Sequence, residues 1–438
     1  MYTDIIQWDS LPQSARSALL RRPAADPERG VVDDARAIIQ RVRDGGDAAL
    51  RELTRRLDGA EPALLAVSDD EYRTAEAALS STALAAIELA IGNVRKFHAA
   101  QLPSRIDVTT MPGVRCERIS QPLDSIGLYV PAGSAPLPST AIMLCVPAAL
   151  AGCPTRVLCT PPRLDGSADP AVLTAARRAG VDAIFKIGGA QAVAAMAYGT
   201  ESVPKVCTIF GPGNAWVTAA KTLVAADADG AAIDMPAGPS EVLVIADEHA
   251  DAVFVAADLL SQAEHGADSQ VTLVTTSREF ARKVAIEIEA ALPRLGRRDI
   301  AREALRHCRL LHTATLDAAI DLSNAYAPEH LILQIVEPRG VLPRIRNAGS
   351  VFIGPWSPES AGDYCSGTNH VLPTYGFARS YSGLGVDQFL RHMTVQELSR
   401  DGLKALAAAI IELATLEGLD AHADAVRCRL RNAGGTGA

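Results

Sequence analysis

At 438 residues the chain is longer than one hydrophobic core sustains, so two to three domains are expected. A hydrophobic content of 48% with 21% charged residues is that of a globular protein, not a disordered one. Acidic residues outnumber basic ones by 51 to 42, a net charge of −9, and no basic run exceeds two or three residues, which argues against a nucleic-acid partner.

The first 25 residues contain no apolar core of the secretory kind, so no signal segment is expected. Residues 33–101 read as amphipathic helices: one runs to Gly45-Gly46, a second covers 47–59, and Ser68 with Glu71 forms a capping box that opens a third. The cluster at 80–82 interrupts this last region before the helix resumes toward Pro103.

An alternation of short β-branched runs and helices follows. Strands are expected at 126–130, 156–159, 183–187, 206–210, 242–246 and 271–275, with helices at 170–180, 190–198, 214–226 and 249–265 between them. Strands separated by crossover helices imply parallel sheets covered on both faces, and such sheets bind ligands at the carboxyl ends of their strands. The longest apolar stretch, 141–153, has 13 residues and contains Pro147, short of the roughly 20 that a membrane span needs.

Glycine clusters flank these strands: 131–134, Gly188-Gly189, Gly211-Pro212-Gly213-Asn214 and Gly238-Pro239-Ser240. Glycine permits close approach of a ligand, and a helix N-terminus after such a turn favours an anion such as pyrophosphate. None is a GxGxxG, so the turns read equally as ordinary strand-to-helix loops.

Helices at 279–291 and 315–325 and strands at 331–336 and 350–353 continue the pattern. Residues 354–376 then form an aperiodic stretch of 23 residues, and loops of that length in compact domains are usually functional. A helix over 395–416, the segment EGLDAH at 417–422, a last helix and a glycine-rich tail at 434–438 complete the chain. The eight cysteines lack CxxC pairs, which argues against a disulfide framework and a thiolate zinc site and leaves a reducing cytoplasm as the expected compartment.

Polar residues gather at four places. Gln262 and His265 share one face at the end of the 249–265 helix, where they serve either as an ordinary cap or as ligands. Glu329-His330 follows Pro328, Asp363 to His370 lies in the long loop, and Glu417 stands near His422. Gln262, His265, Asp363 and His422 would make a nitrogen and oxygen shell suited to zinc or a related divalent ion such as manganese. Glu329 and His330 would add two acid/base groups of different intrinsic pKa. The alternative is a set of satisfied core histidines and surface carboxylates.

The motifs carrying these residues resemble one family over nearly the whole chain. They run from GLYVPAGSAPLPSTAIML at 127–144 through KIGGAQAVAAMAYGTESVPKV, IFGPGNAWVTAAK, DMPAGPSEVLVIAD, DLLSQAEHG, NAYAPEHL and ESAGDYCSGTNHVLPTYG to EGLDAH. In that order they are similar to histidinol dehydrogenases. The resemblance implies oxidation of L-histidinol to L-histidine in two NAD-dependent steps through the aldehyde, with one zinc ion per subunit holding the substrate. By motif, Gln262, His265, Asp363 and His422 would bind the zinc and the substrate. Glu329 and His330 would be the acid/base pair. Ser240, His370 and Glu417 would complete the substrate contacts, together with His330, and Tyr129, Gln191 and Asn214 would contact NAD. Cys365, between Asp363 and His370, has no role that the resemblance requires.

The expected fold is α/β, with two incomplete Rossmann-like parallel-sheet domains, an N-terminal helical segment and a C-terminal helical arm. The expected divisions are 1–30 for the N-terminal segment, 31–128 plus 238–384 for metal and substrate, 129–237 for NAD, and 385–438 for the arm. A homodimer with active sites shared between subunits is implied, with neither nucleic acid nor membrane as partner. A paralogous zinc- and NAD-dependent dehydrogenase acting on another polar alcohol is the rival reading.

Overall fold

The structure is a computed structural model that describes residues 4–22, 29–132, 135–235 and 238–432. Gly133 and Ser134 of the first glycine turn, part of the N-terminal segment and the tail at 434–438 lie outside the described residues. The chain divides into a larger unit, residues 1–101 and 123–389, and a smaller one, residues 102–122 and 390–438.

The larger unit contains two parallel sheets. One has six strands in the order β1 (Ile5–Gln7), β11 (Arg309–His312), β10 (Gln270–Thr275), β9 (Glu241–Ala246), β12 (His330–Gln334) and β13 (Ser350–Ile353). The other has five, in the order β6 (Ala183–Lys186), β5 (Thr155–Thr160), β4 (Ser125–Tyr129), β7 (Thr208–Phe210) and β8 (Ala232–Ile233). Strands β9, β10 and β12 are buried at every position, which is why EVLVIA, QVTLVT and HLILQ read as nearly unbroken apolar runs instead of alternating ones.

Each sheet reverses its winding beside its first crossover strand. In the six-stranded sheet the reversal falls between β9 and β12, and in the five-stranded sheet between β4 and β7. The N-terminal segment was expected to be helical, yet residues 5–7 add an edge strand beside β11.

The long helix Arg29–Leu57 is broken at Gly46, whose φ of 51° belongs to the left-handed region, as the Gly45-Gly46 signal predicts. Ser68 and Glu71 form the expected capping box. The apolar face Val31, Ala35, Ile39, Val42, Leu50 and Leu53 packs into one cluster with Val157, Phe185, Val193 and Val217. Residues 29–57 thus bury their apolar surface on the side of the five-stranded sheet, against helices Gly189–Tyr198 and Ala215–Ala225, whereas the sequence reading groups 31–128 with 238–384. Helix Pro138–Ala151, absent from the sequence reading, is apolar on nearly all sides and buried among its neighbours. Pro147 is accommodated inside it.

The smaller unit holds a three-stranded antiparallel sheet in the order β14 (Leu390–Leu398), β3 (Val114–Pro122) and β2 (Ile106–Met111), followed by helices Arg400–Leu416 and Asp420–Asn432. The helix expected over 395–416 starts only at Arg400, where the Ser399 side chain accepts from the Gly402 N–H, because residues 395–398 pair with β3. Among the described residues no single helix is long and apolar enough to cross a membrane.

Candidate active site

The polar residues of the six-stranded sheet collect at the amino ends of its central strands, not at the carboxyl ends that parallel sheets commonly use. Ser240 immediately precedes β9, and His330 is the first residue of β12. Helix Ala252–Ala263 runs back against the sheet, so its carboxyl end also arrives there. The negative end of a helix dipole favours a cation, and this edge is provided with carboxylates and imidazoles to match.

Local geometry sets Glu329 and His330, the expected acid/base pair. Ala327 adopts a left-handed φ of 56° at the end of helix Leu316–Tyr326, and Pro328 cannot continue the helix, so the chain turns sharply into Glu329-His330. The Gly349 N–H donates to the Pro328 carbonyl at 2.9 Å, and a Cβ on Gly349 would stand 2.6 Å from the Glu329 carbonyl oxygen, so only glycine fits there. The Glu241 N–H donates to Glu329 Oε2 at 2.8 Å. His330 Nδ1–H donates to the Glu241 carbonyl at 3.2 Å, which fixes the tautomer and leaves the Nε2 lone pair free. That Nε2 is buried without a hydrogen-bond partner and lies 3.7 Å from Asp363 Oδ1. Burial, with His265 and His370 nearby, holds the His330 pKa down at about 3, so the ring is neutral at ordinary pH. Burial raises Glu329 well above the usual carboxylate range, and Glu241 and Asp363 add to the effect.

Around this pair stand Gln262, His265, Glu359 and Asp363. Gln262 occupies the last turn of its helix, but the helix ends at Ala263, so His265 projects from the turn beyond it and not from the helical face. Asp363 belongs to a short helix, Glu359–Tyr364, within the stretch expected to be an irregular loop. Glu359 precedes Asp363 by four residues and shares its face. Ligand atoms of His265, Glu359 and Asp363 all lie within 4.8 Å of one another.

The Gln262 amide lies against Glu359. With its nitrogen turned that way it donates to both Glu359 oxygens, 3.0 Å to Oε2, and its oxygen accepts from the Glu241 N–H at 3.2 Å. Burial pushes the Asp363 carboxyl up to about 7 and Glu359 well above its usual value, with Asp363, Glu329 and Asp258 adding to the rise in Glu359. Glu359 escaped the sequence reading. Its only signal was the four-residue spacing to Asp363 in ESAGD, inside a stretch too short for periodicity to be legible.

His265 and Asp363 open, with Glu329 and His330, on a cavity of about 890 Å³. Ser240, His265, Glu329, His330, Asp363 and His370 line it on one side, and the Gly211 to Asn214 turn on the other. His370 Nε2 is buried and unpartnered, with its pKa held near 4 by burial and by His265.

The opposite wall comes from the carboxyl edge of the five-stranded sheet, at its own winding reversal. Gly211 follows β7 with a φ of 121° and passes so close to the Tyr129 carbonyl that no side chain fits. Its N–H donates to Asp234 Oδ2 at 2.8 Å and its carbonyl accepts from Lys221 Nζ at 2.8 Å, while Lys221 and Asp234 pair with each other in full burial. Asn214 caps helix Ala215–Ala225 by accepting from the Val217 N–H at 3.1 Å. Tyr129 and Gln191 form a separate cluster at the end of β4 and the start of helix Gly189–Tyr198, where the Tyr129 hydroxyl accepts from the Gly189 N–H at 3.0 Å. Glu417 and His422 belong to the smaller unit, where both are exposed around the turn between its helices.

A family model described as histidinol dehydrogenase matches residues 20–430. The chain belongs to the histidinol dehydrogenase family. Histidinol dehydrogenase from Vibrio vulnificus (strain CMCP6) is 53% identical over 425 residues, covering 97% of this chain and 98% of the relative. That from Xanthomonas axonopodis pv. citri (strain 306) is 54% identical over 426 residues, covering 97% and 99%. The crystal structure of histidinol dehydrogenase from Elizabethkingia anophelis superimposes with a TM-score of 0.93 at 45% identity, covering 97% of each chain. The histidinol dehydrogenase fold, with its two parallel sheets, is therefore the fold of this chain.

Proposed function

We propose that the chain oxidises L-histidinol through the aldehyde to L-histidine, the closing steps of histidine biosynthesis, with two NAD consumed per turnover. The observation that carries this reading is His330: a neutral imidazole whose tautomer is fixed through Nδ1 and whose unpartnered Nε2 lies 3.7 Å from Asp363 Oδ1, in a cavity wall that His330, Glu329 and Asp363 share. His330 Nε2 takes the alcohol proton as the hydride leaves. His330 releases that proton to solvent before the second oxidation; Glu329, with a carboxyl raised by burial, takes a proton from the water that hydrates the aldehyde, and His330, neutral again, accepts a hydroxyl proton of the hydrate as the second hydride leaves. NAD, when bound between Tyr129, Gln191 and Asn214, supplies the hydride acceptor.

The donor set fits one zinc ion per subunit. His265 and Asp363 offer nitrogen and oxygen at a helix carboxyl end, with His422 of the C-terminal arm as a further ligand. The Gln262 amide lies against Glu359, whose carboxylate stands within 4.8 Å of the ligand atoms of His265 and Asp363. Zinc, when bound, supplies a fixed positive charge that orients the substrate amine and imidazole. Ser240, His370 and Glu417 hold the rest of the substrate. We place the protein in the cytoplasm as a homodimer whose sites draw on both subunits, without nucleic-acid or membrane partners.

The test is NADH formed per histidinol consumed, with two expected. Glu329→Gln should slow the aldehyde step about 10² to 10⁴-fold while sparing the alcohol step. Equal loss of both steps with normal substrate binding would remove the hydration role.

A further inference from the structure

Of the helices that begin at the carboxyl edge of the five-stranded sheet, two follow its strands β6 and β7 directly and differ at their N-termini. Helix Ala215–Ala225 is capped by Asn214, and the nearest acid on that side, Asp234, is neutralised by Lys221. Helix Gly189–Tyr198 starts at Gly188-Gly189 with no side-chain cap, which is ordinarily a seat for phosphate.

Here that seat is taken by a carboxylate. Asp58, just past the end of helix Arg29–Leu57, brings Oδ1 within 3.1 Å of the position a Cβ on Gly188 would occupy, and its Oδ2 accepts from Gln191 Nε2 at 3.3 Å. The Gly189 N–H is already satisfied by the Tyr129 hydroxyl. Gln191 is 1% exposed, yet its Oε1 has no hydrogen-bond partner. The cluster therefore presents acceptors, a carboxylate and an orphaned amide oxygen, to whatever binds there. Phosphate would be repelled, whereas a pair of hydroxyls would satisfy both acceptors. A carboxylate takes vicinal hydroxyls with two of its lone-pair sites. Burial lifts the Asp58 pKa to about 6, still leaving it an anion at neutral pH.

Resting on the proposal that Tyr129, Gln191 and Asn214 contact NAD, we infer that Asp58 binds the adenosine ribose hydroxyls of NAD and, by its charge, rejects the 2′-phosphate of NADP. The dinucleotide then runs from Asp58 at one end to the cavity holding His330 at the other. Its pyrophosphate falls to the acid-free N-terminus of helix Ala215–Ala225. Parallel-sheet dinucleotide sites commonly place an acid at this ribose. In this chain the acid comes from a helix outside the sheet, which is why no strand-end acid in the sequence signals it.

The experiment compares NAD with NADP in the intact enzyme. Asp58→Asn should raise the KM for NAD about tenfold or more with little change in kcat, since one charged hydrogen-bonding group is lost. It should also raise the NADP to NAD ratio of kcat/KM by at least about tenfold. In the wild-type enzyme, independent of any variant's folding, adenosine 5′-monophosphate should compete with NAD at least about tenfold better than adenosine 2′,5′-bisphosphate. Equal inhibition by the two nucleotides, or an Asp58→Asn enzyme with unchanged KM and cofactor ratio, would overturn the assignment while leaving NAD use intact. Failure of the wild-type enzyme to bind NAD, measured by titration calorimetry, would sink the NAD reading and this one together.

Discussion

Replacing Lys221 by Met should loosen the turn that faces the cavity, by an amount set by what the ammonium leaves behind. Lys221 and Asp234 are 4% and 1% exposed, and between them they hold both ends of the Gly211 peptide unit. Without the ammonium, Asp234 is a buried carboxylate with one remaining hydrogen bond from Gly211, and the Gly211 carbonyl loses its donor. Removing one partner of a buried pair costs about 3 to 5 kcal/mol. Adding Asp234→Asn removes the stranded charge while keeping an oxygen for the Gly211 N–H, so the double variant should lose only about 1 to 2 kcal/mol. At about 1.4 kcal/mol per tenfold, the single variant should open between two and nearly four orders of magnitude more often. Hydrogen–deuterium exchange of peptides spanning 208–225 reads this directly, and the KM for NAD should rise with it. If Lys221→Met accelerates exchange less than tenfold, or if the double variant is worse than the single one, the pair does not hold the turn.

A methyl group on Gly349 would press on the Glu329 carbonyl, so Gly349→Ala should cost about 1 to 3 kcal/mol in stability and lower kcat without moving the KM for NAD. Unchanged kcat in steady-state assays would show that the start of β12 gives way freely. Asp363 is raised to about 7 and Glu359 and Glu329 well above the usual carboxylate range, so in metal-free protein their contribution is complete below the unfolded value near 4 and is lost as pH rises, for Asp363 through about 7. His330, held low, contributes above its unfolded value near 6.5 and loses that as pH falls toward about 3. Zinc selects the ionised carboxylates, so it should raise the melting temperature more at pH 8 than at pH 5, and an equal shift at both would count against these ligands. Co-expressed Asp363→Ala and His422→Ala chains, each inactive alone, should regain about a quarter of wild-type activity through mixed dimers. No recovery in mixed dimers verified by mass spectrometry would place His422 in its own subunit's site.

The central strands of the two parallel sheets and most of their helices were legible because burial on both faces writes itself into the sequence as apolar runs between glycine turns, whereas the short strands β1, β8 and β11 were not. Strands β2 and β14 were not, since they are exposed at almost every position and IDVTTM and LRHMTVQEL carry no apolar alternation. Helix Pro138–Ala151 failed for the opposite reason: buried nearly all round, it has no polar face to set a period. At the site, Glu329, His330, His265 and Asp363 could be named from motifs. Their meeting at the amino edge of the sheet depends on which way helix Ala252–Ala263 returns, and that is a property of topology. Glu359, Glu241 and Asp58 act through neighbours distant in the chain, so no local pattern marks them.

The bonds that steady Glu329 and His330 come from the amide and carbonyl of Glu241, not from its side chain. The Glu241 carboxylate is occupied elsewhere, pairing with the buried Arg22 guanidinium at 2.7 Å and accepting from the Tyr375 N–H. A codon change at position 241 thus leaves both tethers of the proposed proton-handling pair in place so long as β9 keeps its register. What loses its counter-ion is Arg22, which keeps the Tyr326 carbonyl as an acceptor at 2.9 Å and its stacking 3.7 Å from the Tyr326 ring centre. Randomising that position would select for chains that can house a buried arginine without its carboxylate, and survivors would carry the same Glu329-His330 alignment on a different anchorage of the N-terminal segment.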